Sequence, residues 1–347
     1  MRSSDMAAAA LAAIVPGLFG CAQIAGLEDR QAFELVTIAR DQPGPHAIAL
    51  DEEAVYWITE GNGGPEGEFQ GGALRRQSKD HLEVIDLIAP SQEAPHAIAV
   101  DATQIYWSTT DLAYSHNCAE LEDGDPNKDR DKLWRLSKQA PFPAASGETL
   151  WGSCGEAVAI ALNDANVYSA RPGAEGITWI PKDGSSSRKW LVQDTVPAGV
   201  AADGDHVYWT DDKAEEIYVA DVSETEPKVS TVTDTTAGPH QIVLDAENLY
   251  WLTSDNVMRR PRSASRDEES VPLLEVPVRP HGIAAHGDYL YVTDREAGVV
   301  YKIRKDRSAP EIQIARGQRE PTGIAADETG VYWTNTASGE IVRYYDY

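Results

Sequence analysis

Short apolar runs alternate with turn residues along most of this chain, and they do so in a repeating frame. PHAIALDEEAVYW begins at Pro45, and PHAIAVDATQIYW begins at Pro95. Each reads as two strands: an Ile-Ala-Leu run rich in branched residues, then a run of β-branched and aromatic residues. Between them stand Asp, Gly, Asn and Glu, which suit a tight turn. Further copies are AIALNDANVYS at Ala159, GVAADGDHVYW at Gly199, QIVLDAENLYW at Gln241, GIAAHGDYLYV at Gly282 and TGIAADETGVYW at Thr322. The aligned anchors are Ile48, Ile98, Ile160, Val200, Ile242, Ile283 and Ile324, at spacings of 50, 62, 40, 42, 41 and 41 residues.

Two more strands complete each unit. The third is LWRLSK from Leu133, ITWIPK from Ile177 or VVYKIRK from Val299, and the fourth is of the type EVIDLIA from Glu83 or EIQIARG from Glu311. Four strands at a period near 40 to 45 residues are the pattern of a propeller blade. The expected fold is all-β, a seven-bladed β-propeller over residues 33–347. Its last unit stops at strand three. FELVTIARDQPGPH, from Phe33, has the form of the missing fourth strand and closes the ring. The paired Tyr and Trp residues then pack between blades. Asp51, Asp101, Asp203, Asp245 and Asp327 open the hairpin turns and are structural, because a carboxylate there accepts turn amides.

The bulk composition agrees and adds location. Apolar residues make up 42% and aromatics 8% of 347 residues, enough for a sizeable core. The net charge of −26 repels polyanions, which excludes nucleic acid as a partner. Residues 1–20 read as a secretory signal peptide, with AAAALAAIVPGLFG leading to Cys21. Leu18-Phe19-Gly20-Cys21 resembles the bacterial lipobox, which implies a lipidated Cys21 and a tether over 22–32. The expected protein is an exported monomer, lipid-anchored to the cell envelope at the outer membrane or on the periplasmic side of a membrane. Cys118 and Cys154 are the two remaining cysteines, and an even pair in an exported chain suggests a disulfide.

Candidate chemistry gathers where each blade begins. The position after the strand-start proline holds His46, His96, Val158, Ala198, His240, His281 and Thr322. Innermost strands line a propeller's channel, so these four histidines meet at its mouth. There they serve as ligands, a metal site included, or as strand-start punctuation copied by duplication. Two insertions open on the same face: EGNGGPEGEFQGG from Glu60, and SHNCAELEDGDPNKDRDK from Ser115. Asp123, Asp125, Asn127, Asp129 and Asp131 alternate like the oxygen ligands of a calcium loop, but Lys128 and Trp134 occupy its glycine and glutamate places. This is read as a solvated acidic loop.

YWTD at Tyr208 and YVTD at Tyr291 resemble the YWTD and NHL propellers. PHGIA at Pro280 resembles repeats of streptogramin lyases and of the peptidyl-hydroxyglycine lyase propeller. The resemblance to the lyases implies seven blades and a divalent ion (zinc, magnesium or calcium) held with histidines. It also implies a glutamate two residues before the histidine, where this chain has Gly44, Ala94, Gly238 and Arg279, and one about fourteen after, where Glu60 follows His46. The function expected first is a binding or scaffold module, with His46, His96, His240, His281 and Glu60 at its working face. Its partner is a cell-envelope protein, a glycan or a small-molecule ligand. The alternative is a divalent-metal-dependent lyase or hydrolase at the same mouth.

Overall fold

The computed structural model describes residues 34–345 apart from 64–68, 71, 83, 111–130, 144–146, 154, 173–175, 224–225, 236 and 275–277. It contains strands and no helix among these residues. Seven four-stranded antiparallel sheets form the blades of a β-propeller. Blade one comprises Pro45–Leu50, Ala54–Thr59, Ala73–Ser78 and Ile85–Ala89, in that order from the channel outward. Blade seven comprises Pro321–Asp327, Gly330–Asn335, Glu340–Tyr345 and, outermost, Glu34–Ala39 from the other end of the chain. The innermost strand of each blade contacts that of the next, and the seventh contacts the first. The ring therefore closes as the sequence predicts.

Consecutive strand residues point to opposite sheet faces. A Tyr-Trp pair is buried on both faces only if each blade is covered by both neighbours. Tyr56 and Trp57, Tyr106 and Trp107, and Tyr332 and Trp333 are all at most 1% exposed. The tyrosine of one blade shares a core cluster with the tryptophan of the next: Tyr56 with Trp107, Tyr168 with Trp209, Tyr208 with Trp251, Tyr291 with Trp333, and Tyr332 with Trp57.

The buried indoles need hydrogen-bond acceptors, and glutamines supply some of them. Trp57 Nε1 donates to Gln42 Oε1 at 3.1 Å, Trp107 Nε1 to Gln92 Oε1 at 2.8 Å and Trp333 Nε1 to Gln318 Oε1 at 3.0 Å. Each glutamine returns its own amide to a nearby carbonyl, as Gln42 Nε2 does to Arg40 O at 2.7 Å. Gln42→Ala strands a buried donor and is expected to cost about 1–3 kcal/mol. Denaturant unfolding of that variant, with Gln42→Glu beside it, checks this.

On the face away from the histidines, the hairpin aspartates do structural work. Asp51 Oδ1 accepts the N–H groups of Glu53 and Ala54 at 2.9 and 2.7 Å, while Oδ2 accepts the Tyr56 hydroxyl at 2.8 Å. A cation from the following blade completes each site. Lys138 pairs with Asp51, Lys182 with Asp101, Arg262 with Asp203, Lys305 with Asp245 and Lys79 with Asp327. These aspartates clamp five of the seven blade seams.

Candidate functional site at the channel mouth

A strand-start proline lacks an N–H and is tolerated where the ladder begins. One residue later the ladder slips. Register shifts between Pro45 and Ala47 and between Pro280 and Gly282, which leaves His46 and His281 as extra residues. In blade two the slip spans His96, between Pro95 and Ile98. A bulge of this kind re-aims the side chain it carries. Hydroxyls hold the bulged backbone. Thr293 Oγ1 accepts from Gly282 N at 2.9 Å and donates to Thr322 O of the next blade at 2.8 Å. A Cβ on Gly282 would lie 2.3 Å from that same Thr322 oxygen, so the close approach of the inner strands requires glycine.

His46, His96 and His281 line one cavity of about 470 Å³ at the mouth, with Glu60, Gln241 and Arg295. The His46 and His96 rings lie 6.3 Å apart at 67°. His46 Nδ1 donates to Gly44 O at 3.3 Å and has Glu60 Oε1 at 3.8 Å. His96 Nδ1 is 2.8 Å from Glu156 Oε1. A carbonyl and a carboxylate can only accept, so both contacts place the proton on Nδ1. In the neutral rings Nε2 then carries the lone pair. His46 Nε2, His96 Nε2 and His281 Nδ1 are all buried and without a hydrogen-bond partner.

Burial holds the His46 imidazole below its usual range. Glu60 and the Gly44 carbonyl pull the other way, and His96 adds to the lowering. Burial likewise lowers His281, helped by Arg295, His240 and His46. Both therefore stay neutral at pH 7 and keep a free lone pair.

His240 does not line this cavity. The residue after the histidine is Ala47, Ala97 or Gly282, and after Thr322 of blade seven it is Gly323, but in blade five it is Gln241. The Gln241 side chain lines the cavity there, and its Oε1 accepts from Ile283 N at 3.3 Å. Among the described residues, no three His, Cys, Asp or Glu side chains gather as a metal-ligand set. The four-histidine cluster expected from the sequence is thus a close pair plus His281, with His240 outside the cavity wall.

No family model matches this chain, and no curated protein matches it. Solved structures do. A streptogramin B lyase aligns at 16% identity and TM-score 0.65, over 90% of this chain and 97% of its own. A catalytically inactive virginiamycin B lyase from Staphylococcus aureus, solved with quinupristin, aligns at 15% identity and TM-score 0.66, over 91% and 100%. The WD40 propeller domain of Doa1 aligns at 11% identity and TM-score 0.68, over 91% and 97%. The likeness is one of fold. A propeller with a WD40 domain and a lyase at equal distance takes its function from its own site.

Three residues were missed from sequence: Gln241 and Arg295 on the wall, and Glu156 behind His96. Glu156 had a signal. It stands two residues before Val158, which fills the histidine position of blade three. The sought carboxylate belongs to the blade after the histidine it meets, not to the same blade. Arg295 is tied to Glu320 of the next lead-in loop at 2.7 Å. Cys21, Cys118 and Cys154, the signal peptide, the tether and most of the acidic insertion lie outside the described residues.

Proposed function

We propose that this protein is an exported, lipid-anchored propeller that binds a ligand at its channel mouth. Three buried, unpartnered imidazole nitrogens on one cavity carry this reading. A buried polar atom without a partner costs free energy, so a ligand that satisfies it gains that amount on binding. The ligand is a polar small molecule, or a glycan or protein group of the cell envelope, that offers hydrogen-bond donors to Nε2 of His46 and His96. Support for export and anchoring is the leader ending at Cys21. A bridge from Cys118 to Cys154 would pin the blade-two insertion beside this mouth.

One observation favours a second reading, a divalent-metal-dependent lyase or hydrolase. A carboxylate behind Nδ1 with a free Nε2 in front is how metal-binding imidazoles are oriented. His96 has this arrangement with Glu156, and His46 has the Gly44 carbonyl in the carboxylate's place; the two would hold the ion. A bound ion would polarise a carbonyl or ester oxygen of a substrate.

Bound metal measured by mass spectrometry on untagged, chelator-free protein separates the two. The comparison protein carries His46→Ala and His96→Ala. The binding reading expects no stoichiometric metal in either. It also expects small-molecule or glycan hits on the parent that weaken at least about tenfold in the double variant. Near-stoichiometric metal lost in a folded double variant turns the reading to the enzyme. Hits of equal affinity in both proteins remove the channel mouth as the site.

A further inference from the structure

The tryptophan-glutamine partnership is repeat-encoded, and one tryptophan that lacks it lines a cavity. Gln42, Gln92 and Gln318 each precede their tryptophan by fifteen residues. Blades three and six carry Ser169 and Val292 in the tryptophan place, and Cys154 and Pro277 in the glutamine place. Glutamine therefore occurs only beside a tryptophan. Blades four and five break the partnership the other way: they keep Trp209 and Trp251, but the residues fifteen earlier are Asp194 and Thr236. Both indole N–H groups are buried without an acceptor.

Trp251, 1% exposed, lines a cavity of about 690 Å³ between blades four and five. Ser270 lines the same cavity, and its hydroxyl is also buried and unpartnered. We propose that this cavity receives a glutamine side chain from a basic segment of a partner protein. The carboxamide oxygen would accept the Trp251 N–H, and its NH₂ would donate to Ser270 Oγ. Gln42 shows the same double use of a carboxamide within the ring, with its oxygen on Trp57 and its nitrogen on Arg40 O. A carboxylate is disfavoured there. Asp234, Asp255, Glu268 and Glu269 line the cavity, and its one lining arginine, Arg266, is already paired with Asp234 and Glu216. The other three acids, Asp255, Glu268 and Glu269, favour lysine or arginine on either side of the glutamine. This proposal does not rest on the channel-mouth histidines.

The test is an NMR titration of the indole N–H signals with acetyl-Lys-Gln-Lys-amide, using the acetyl-Lys-Leu-Lys-amide peptide as control. Trp251→Phe identifies the Trp251 signal. The Trp251 signal is expected to move saturably with the glutamine peptide, while that of Trp57, already bonded to Gln42, stays still. Thr236→Gln, which restores the repeat's own glutamine, is expected to weaken the peptide about tenfold or more. The proposal is overturned if Trp251 does not move. It is equally overturned if the leucine peptide moves it as far, or if Trp209 responds as strongly as Trp251.

Discussion

A chain that begins at Asp41 unfolds at a much lower denaturant concentration than one that begins at Phe33. The difference is the strand Glu34–Ala39, which pairs with Glu340–Tyr345 from Glu34 opposite Tyr345 to Ala39 opposite Ile341. Its loss removes the buried Ile38 and Ala39, and bares one side of the buried Ile341, Val342 and Tyr344. Each such side chain is worth about 1.5–3 kcal/mol when fully buried. The Ile38 carbonyl also accepts Gln77 Nε2 of blade one at 2.9 Å, a bond across the closing seam. The expected loss exceeds about 4 kcal/mol, beyond most single substitutions. The opened edge presents unpaired N–H and C=O groups, so association by light scattering should accompany it. Ile38→Asp in the longer chain reads the same seam without truncation. Equal unfolding midpoints for all three chains would remove the strand from the ring's stability.

The second large effect is acid unfolding in a narrow window. Burial by itself would raise the hairpin aspartates, but turn amides and the cation from the next blade overcome it. Asp101 and Asp245 are held down to about 2. Asp51 and Asp327 are also lowered against burial, by Lys138 with Tyr56 and by Lys79 with Thr329. A folded value below the unfolded one of about 3.9 contributes stability that is complete above the unfolded value. That contribution is lost as pH falls toward the folded value. The denaturant midpoint should therefore change little from pH 7 to about 5, where protonation also relieves the repulsion of a net charge of −26. It should then drop steeply between about pH 4 and 2. Replacing Asp51 and Asp245 by Asn should lower the plateau and flatten the drop. A midpoint unchanged to pH 2, or an equally steep drop in the double variant, would show that the clamps do not set acid stability.

Both predictions use features that differ in how far the sequence displayed them. The blade count, the four strands and the closing strand were legible because each depends on a local pattern repeated at fixed spacing. Asp51 as an acceptor of its turn amides was readable in the same way, since carboxylate and amides belong to one hairpin. Lys138 on Asp51 was not, because the partner arrives from the next blade. The glutamines were visible as letters, but their meaning needed the indoles beside them.

From the sequence alone came the periodicity, the ring closure and the strand-start histidines, because hydrophobic pattern and turn chemistry act over a few residues at a time. Only the tertiary structure decided which side chains meet. It drew His46 and His96 to 6.3 Å, set Glu156 of blade three behind His96, and let Gln241 line the wall where a fourth histidine was expected. It also left Trp251 lining a cavity, its indole N–H without an acceptor. Those outcomes depend on the angle between neighbouring blades and on bulges that turn one residue out of register, and neither is written within a single repeat.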